Sequence, residues 1–203
     1  MSVTVDKTYI CNQALMEMGV DASIESLNED SVYAERCNRL YDSVLRSLLS
    51  QYNWSFTEKL VTLARISDNI EGYSFAYNYP SEAFRINNVY QNEEDYKIKK
   101  VIPEIQKWRV ATVNDNKCIL SNSEIPFAAI SIEPLISDCP ESFIRVFILR
   151  LAEQLSKVSG ANDAILQRIK SDLQYELSMA LINSSRESNN QLSEDNPYVD
   201  VRG

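Results

Sequence analysis

The chain has 203 residues, which is enough for one domain of ordinary size, or for one domain with a smaller insertion. A chain of this length can bury a sizeable hydrophobic core. Acidic residues outnumber Lys and Arg by 29 to 20, and the formal charge of −9 argues against nucleic-acid binding through a basic footprint. Histidine is absent, which excludes His-dependent catalytic triads and imidazole-ligated metal sites. With 44% hydrophobic and 24% charged residues, the composition is that of a globular protein and favours binding or assembly over catalysis.

The first quarter of the chain predicts two helices. From Asp6 to Met18 apolar residues recur at every fourth position, and Gly19 supplies the left-handed residue that commonly ends a helix. A second helix is predicted from Ser31 to near Asn53. Its apolar residues keep spacings of three and four and include Cys37, Leu40, Tyr41, Val44, Leu48 and Tyr52. The opposite face carries charges of both signs, which is typical of a solvent face or of a contact with a neighbour.

Beyond Trp54 the apolar residues recur at about every second position, which predicts β-strands. Short strand candidates follow one another at Leu60–Ile66, Tyr73–Tyr79, Phe84–Tyr90, Tyr96–Ile102, Trp108–Val113, Cys118–Ser121 and Phe127–Ile132. Asn114 and Asp115 separate two of them and favour a turn, because Asn and Asp tolerate positive φ. We therefore expect a small antiparallel meander in this part of the chain.

Helical periodicity returns near Asp138. Pro140 fits the first turn of a helix, and Glu141 complements its positive end. The run Phe143–Ala152 is apolar around nearly its whole circumference, which predicts the central buried helix.

The last predicted helix, capped by Asn162 or Asp163, has two apolar faces. One is a continuous stripe of Leu166, Ile169, Leu173, Leu177 and Ala180. The other consists of Tyr175, Met179 and Ile182. A helix with two apolar faces needs two partners, so we expect the second stripe to meet a neighbouring subunit.

The end of the chain is predicted to be a flexible arm. From Ser184 onward apolar residues thin out, and the segment cannot bury enough surface to offset the entropy of ordering. The final residues regain Pro197, Tyr198, Val199 and Val201. This favours a docking motif that fills a groove or adds a strand on another chain; the alternative is a ragged terminus.

Together these patterns predict an α+β fold. Residues 1–57 and 138–185 form a mainly helical bundle of about four helices, 58–137 form an inserted small antiparallel β meander, and 186–203 form an extended C-terminal arm.

The sequence contains few motifs that are typical of catalysis, phosphate binding or metal binding. The 4 glycines are not clustered, which excludes a glycine-rich phosphate loop, and the 4 dispersed cysteines are predicted to be reduced thiols. We expect no cofactor and no metal ion.

No secretory signal and no stretch of about 18 apolar residues is present, so we expect a protein that stays in the cytoplasm and does not enter a membrane. Carboxylates such as Glu82 and Glu141 leave a carboxylate-dependent enzyme open as an alternative.

Three segments resemble the head-to-tail adaptor family of short-tailed bacteriophages, the tail tubular protein A type. The first runs from Asn12-x-Ala14-Leu15 through Cys37 and Tyr41 to Trp54-x-Phe56. The second, Tyr77-x-Tyr79-Pro80-Ser81-Glu82-Ala83-Phe84-Arg85-Ile86, is similar to the family's Y-x-L-P-x-D-x-x-R-V segment. The third is the helix from Pro140 to Ser156.

The resemblance implies a structural virion protein with no catalytic activity. Such a protein forms a ring, of twelve copies in the family pattern, between the portal and the tail nozzle or next tail ring. It is assembled in the bacterial cytoplasm, and DNA passes through it as cargo without sequence-specific binding. In this setting the arm would insert into the portal, and a negative lumen would let DNA slide. The alternatives are a tail-associated enzyme that degrades cell wall or polysaccharide, and a cytoplasmic oligomeric scaffold unrelated to phages.

Overall fold

The computed structural model describes residues 5–70, 72–92, 94–95, 107–124 and 126–189. The chain divides into two compact units. The helical unit spans Met1–Phe56 and Pro134–Arg186, and the β unit is built on Thr57–Glu133. The predicted strand at Tyr96–Ile102 and residues 190–203 of the predicted C-terminal arm, which include its docking residues, lie outside the described residues.

The helical unit contains the helices α1 (Lys7–Glu17), α2 (Val32–Gln51), α3 (Glu141–Ser159) and α4 (Asp163–Asn189). Local capping explains where they begin and end. The side chains of Asp6 and Ser31 accept hydrogen bonds from the backbone N–H groups of Tyr9 and Ala34, and so cap α1 and α2. Gly160, at φ 67°, ends α3 in the left-handed conformation that favours glycine. α4 continues to Asn189, into the segment predicted as an arm.

α3 is the centre of the helical core, as its apolar run predicted. Its buried apolar residues cover most of its circumference, and α1 and α2 both pack against it. Trp54 and Phe56, which follow α2, pack their rings on Phe143 with centroids 5.0 Å away in each case. Trp54 is buried, and its indole N–H donates a hydrogen bond of 3.0 Å to the carbonyl of Leu48, which satisfies its polar atom.

The β unit contains two antiparallel sheets. One has three strands in the order β1-β7-β4, and the other has four in the order β2-β3-β6-β5. The strands are β1 (Glu58–Thr62), β2 (Arg65–Ile70), β3 (Tyr73–Asn78), β4 (Ala83–Tyr90), β5 (Trp108–Val113), β6 (Asn116–Ser121) and β7 (Phe127–Ile132). Their buried side chains form two separate apolar clusters, one around Tyr77 and Ile130 and a smaller one around Leu120.

The predicted fold, a mainly helical bundle with a small meander, is therefore wrong. A meander pairs each strand with its neighbour in sequence, whereas β7 pairs with β1 and β4, and β6 pairs with β3 as well as β5. The predicted strand Leu60–Ile66 is in fact the end of β1 and the start of β2, which belong to different sheets. Alternation shows which face a side chain takes, but it does not choose the partner strand, and for this reason two sheets were predicted as a single meander.

The turn predicted at Asn114 and Asp115 is confirmed. These residues adopt φ values of 49° and 62° and join β5 to β6 in register Val113↔Asn116. A two-residue hairpin with positive φ at both positions matches the twist of its strands, and this explains the choice of Asn and Asp here.

Candidate subunit interface

Two apolar faces are present on α4. Ile169, Leu173 and Ala180 are buried in the helical core. On another side Tyr175, Met179 and Ile182 are exposed to 66%, 41% and 46%. Their spacing of four and three residues aligns them along the helix, and we call them the α4 stripe. Apolar side chains aligned in this way and open to solvent are a feature of interaction surfaces.

The two edges of the α4 stripe differ in charge. At about 100° of rotation per residue, Asp172 and Glu176 lie along one edge. Ser171 and Ser178 lie along the other edge and carry no charge. Asp172 accepts a hydrogen bond of 3.5 Å from Arg168, one turn earlier on the same helix. Arg168 and Arg186 lie seven residues before Tyr175 and seven after Met179, on the same side of the helix, so charges of both signs surround the stripe.

Polar contacts fix α4 in the helical unit near both of its ends. Glu17, at the end of α1, accepts hydrogen bonds from Arg145 of α3 and, at 3.1 Å, from Arg168 of α4. Arg168 also donates to the main-chain carbonyl of Glu17. Near the other end, the Ser184 hydroxyl accepts a hydrogen bond of 2.8 Å from the backbone N–H of Ser55. These contacts determine which face of α4 meets the core and which remains exposed.

The pKa of Glu17 reflects this position. Partial burial opposes ionisation, but the hydrogen bonds and positive charges of Arg145 and Arg168 outweigh it and lower the pKa of the carboxyl group below its usual value. Glu17 is therefore ionised at neutral pH, and it joins α1, α3 and α4 through one side chain.

A second surface feature is an open groove of about 260 Å³ between α2 and α3, here called the α2–α3 groove. Its lining combines apolar and polar side chains: Leu40, Ser43, Val44, Ser47, Arg150 and Gln154. Arg150 donates a hydrogen bond of 3.0 Å to Glu153, which also pairs with Lys157 at 2.8 Å. The pairing fixes Arg150 beside the groove, and two cations share a single carboxylate there.

Arg39 and Arg46 are exposed on α2 and adjoin the groove residues Leu40 and Ser47 in sequence. At about 100° of rotation per residue, they lie around the helix from the groove and not at its edge. The groove lining itself contains one cation, Arg150, which is paired with Glu153.

The groove was missed in the sequence because two helices far apart in the chain form it. One signal was present: Arg145 and Arg150 interrupt the otherwise apolar run Phe143–Ala152. Both charges have partners in the structure, Glu17 for Arg145 and Glu153 for Arg150. Within the run Phe143–Ala152, Arg145 and Arg150 are the two residues that are not buried.

Other predicted residues lie elsewhere. Pro80 opens the turn between β3 and β4, where its carbonyl accepts a hydrogen bond of 3.0 Å from the N–H of Ala83. Arg85 of β4 donates to Asn87 at 3.0 Å and to the hydroxyl of Ser131 at 3.4 Å on the neighbouring strand β7. Both residues have a structural role in the β unit. Pro197, Tyr198, Val199 and Val201 lie outside the described residues.

The two carboxylates considered for catalysis have ordinary surroundings. Glu82 is exposed in the β unit and forms an ion pair with Lys59 at 2.8 Å. Glu141 is exposed in the first turn of α3, where a negative charge complements the helix dipole. The ion pair of Glu82 and the helix-dipole interaction of Glu141 each give the carboxylate a structural role.

Among the residues that the structure describes, no three His, Cys, Asp or Glu side chains are grouped so that they could hold a metal ion. None of the helices in this part of the chain is long and apolar enough to cross a membrane. A scan against models of known protein families and a search of curated proteins both find no match to this chain.

Proposed function

We propose that this chain is a structural virion protein that forms a ring-shaped adaptor between the portal and the tail of a short-tailed bacteriophage. In this role it occupies the neck of the virion, contacts the portal above and a nozzle or further ring below, and surrounds the path of the DNA. It has no catalytic activity of its own. Twelve copies are the number that the family pattern implies.

The observation that carries the proposal is the α4 stripe. A single copy leaves Tyr175, Met179 and Ile182 exposed on a helix whose opposite face is already buried in its own core. Ordered apolar surface of this kind suits repeated contact between copies better than it suits a monomer. A ring adaptor provides such a contact for every copy.

The placement of the residues that carry the family resemblance supports the same function. Cys37, Tyr41 and Trp54 are buried together in the helical core. The side chain of Asn12 donates to the carbonyl of Ile24 at 2.9 Å and accepts from its N–H at 2.8 Å, which attaches the loop after α1 to that helix. The first and third segments of the family resemblance therefore fall on residues of the helical unit, and the second, Tyr77–Ile86, falls on β3 and β4 of the β unit.

The charge of −9 is consistent with DNA as cargo. A ring that holds the phosphate backbone tightly would slow the passage of DNA, whereas an anionic surface repels it. The proposal therefore includes passage of DNA without sequence-specific binding.

Electron microscopy of the purified chain mixed with the portal protein encoded in the same genome tests this function. We expect a ring of density bound at one end of the portal. A variant that lacks Asn189–Gly203 should keep the helical unit folded and lose this density. The matched control replaces the same residues with an unrelated segment of equal length and charge, and it should also fail to bind. Full binding by the truncated chain would refute the role of the arm, and no binding by the complete chain would refute the adaptor function.

The enzyme alternative is tested with the same preparation. A zymogram against peptidoglycan and capsular polysaccharide should show no clearing at any pH. Clearing that disappears in a Glu82→Gln or Glu141→Gln variant would refute the absence of catalysis.

A further inference from the structure

We infer that Cys11 and Cys37 are a disulfide pair, which joins α1 to α2 covalently when the helical unit folds outside a reducing compartment. In the structure all four cysteines are free thiols, which is the state that the cytoplasm maintains. The bond is a modification site of the helical unit alone. The inference therefore goes beyond the proposed function and does not depend on it.

Contacts on both helices place the two thiols opposite each other. The side chains of Cys11 and Cys37 share a hydrogen bond between α1 and α2. One turn before Cys11, the ammonium group of Lys7 forms an ion pair of 2.9 Å with Asp42. The same group lies 4.9 Å from the ring centroid of Tyr41, one turn after Cys37. A step backwards along α1 thus matches a step forwards along α2, so the helices are antiparallel at the pair.

Small side chains next to the two thiols favour a close approach of the helices. Ala14 comes three residues after Cys11, and Ala34 comes three residues before Cys37; all four side chains are 0% exposed. The distance between packed helices depends on the side chains at the contact, and alanine allows a short one. A disulfide needs a short one, because its Cα atoms lie within about 7 Å of each other.

The other two cysteines have different partners. The Cys118 thiol lies 3.5 Å from the carbonyl oxygen of Ala111 in the β unit, and the Cys139 thiol lies 3.5 Å from that of Leu135. Only Cys11 and Cys37 are in contact through their sulfur atoms among the contacts described. These contacts therefore select one pairing from those that four cysteines allow.

The bond forms by thiol–disulfide exchange with a small disulfide such as oxidised glutathione. One sulfur of the pair, as a thiolate, bonds to a sulfur of the oxidant and releases the first glutathione. The other sulfur loses its proton to water and displaces the second glutathione. The chain gives up two electrons and two protons, and one oxidised glutathione becomes two reduced molecules. Because both thiols are fully buried, the oxidant reaches them while the helical unit folds or reopens.

Refolding of the complete chain from urea into a mixture of reduced and oxidised glutathione tests the pairing. Trypsin cleaves after Lys and Arg, so it releases Cys11 on the peptide Thr8–Arg36 and Cys37 on the peptide Cys37–Arg39. Cys118 and Cys139 share the peptide Cys118–Arg145. After alkylation of the remaining thiols, mass spectrometry should find the first two peptides joined, at the sum of their masses less two hydrogen atoms.

The same oxidation in urea is the matched control. In the unfolded chain Cys118 and Cys139 should pair at least as readily as Cys11 and Cys37, because a shorter loop separates them. The ratio of the link between Cys11 and Cys37 to the link between Cys118 and Cys139 should be about one or less in urea. On refolding it should rise at least about tenfold.

The bond should also stabilise the helical unit. Closing the loop from Cys11 to Cys37 restricts the unfolded chain, so the oxidised chain should unfold about 5–10 °C above the reduced chain when far-UV circular dichroism is followed on heating. Cys139→Ala should keep this difference, and Cys37→Ala should abolish it.

Three outcomes would overturn the inference: the same ratio of links in urea and after refolding, a linked chain that unfolds at the temperature of the reduced chain, or an undiminished difference in Cys37→Ala. If Cys37→Ala does not fold, the ratio of links in the wild-type chain still decides whether Cys11 and Cys37 are the pair.

Discussion

Truncation of Phe143 to alanine should destabilise the helical unit more than most single substitutions. The side chain is 0% exposed, and its ring lies 5.0 Å from Trp54, 5.0 Å from Phe56 and 6.3 Å from Phe147 between centroids. Burial of a phenylalanine side chain contributes about 1.5–3 kcal/mol. Three aromatic neighbours and the cavity left behind raise the expected loss to about 3–5 kcal/mol.

Urea unfolding followed by far-UV circular dichroism measures this loss. The helices α1, α2 and α3 and nearly all of α4 belong to the helical unit, so the helical signal mainly reports the part of the chain that contains Phe143. The midpoint should fall to a lower urea concentration, and a total stability of about 5–15 kcal/mol leaves the variant measurable.

The matched control for Phe143→Ala is Val158→Ala on the same helix. Val158 is 56% exposed, and its truncation should change the free energy of unfolding by no more than about 0.5 kcal/mol. If Phe143→Ala lowered the free energy of unfolding by less than about 1 kcal/mol, or by the same amount as Val158→Ala, the inference that Phe143 is central to the packing of this core would be wrong.

Two further predictions concern titratable groups. Because the pKa of Glu17 is lowered in the folded state, its contribution to stability is present at neutral pH and is lost as the pH falls below about 4.3. Glu17→Gln should therefore cost about 1–2 kcal/mol at neutral pH in urea unfolding, discounted for the partly exposed arginines, and the difference should vanish in acid; a constant difference would contradict this. For the thiols, burial raises the pKa of Cys139 to about 12, while Cys11 and Cys37 are fully buried. A thiol reagent should modify partly exposed Cys139 slowly in the folded chain, and Cys11 and Cys37 only on unfolding; mass spectrometry showing equal rates would contradict this burial.

The helices could be predicted because their signals are local. Asp6 and Ser31 cap the helices that follow them, and Gly160 ends α3 within the same few residues of chain. The apolar run Phe143–Ala152 likewise needed no partner to be recognised as buried. Signals of this kind depend on neighbours within one or two turns, which a sequence contains in full.

The sheets could not be predicted because their pairing is not local. β7 lies between β1 and β4, and the sequence near Phe127 contains nothing that selects Thr62 or Tyr90 as its partners. The break after Thr62, which ends β1 before β2 begins, is likewise absent from the alternation of apolar and polar residues. Partner choice depends on the assembled unit.

The candidate interface was predictable in part. The sequence indicated that Tyr175, Met179 and Ile182 form a second apolar face on α4. It also led us to expect that this face meets a neighbouring subunit and not the core of its own chain. The contacts that orient α4 in this way, such as those of Glu17 and Ser184 with other segments, were not predicted. The groove was beyond prediction because α2 and α3 supply opposite sides of it.

The division of the helical unit by the β unit has a consequence for synthesis of the chain. α1 and α2 bury their apolar faces against α3, but about 90 residues separate the end of α2 at Gln51 from the start of α3 at Glu141. At translation rates of about 5–20 residues per second, the first two helices leave the ribosome roughly 5–20 s before their partner does. During this interval their apolar faces are open to other nascent chains or to chaperones, so the order of synthesis makes the N-terminal helix pair the vulnerable part of this protein before folding is complete.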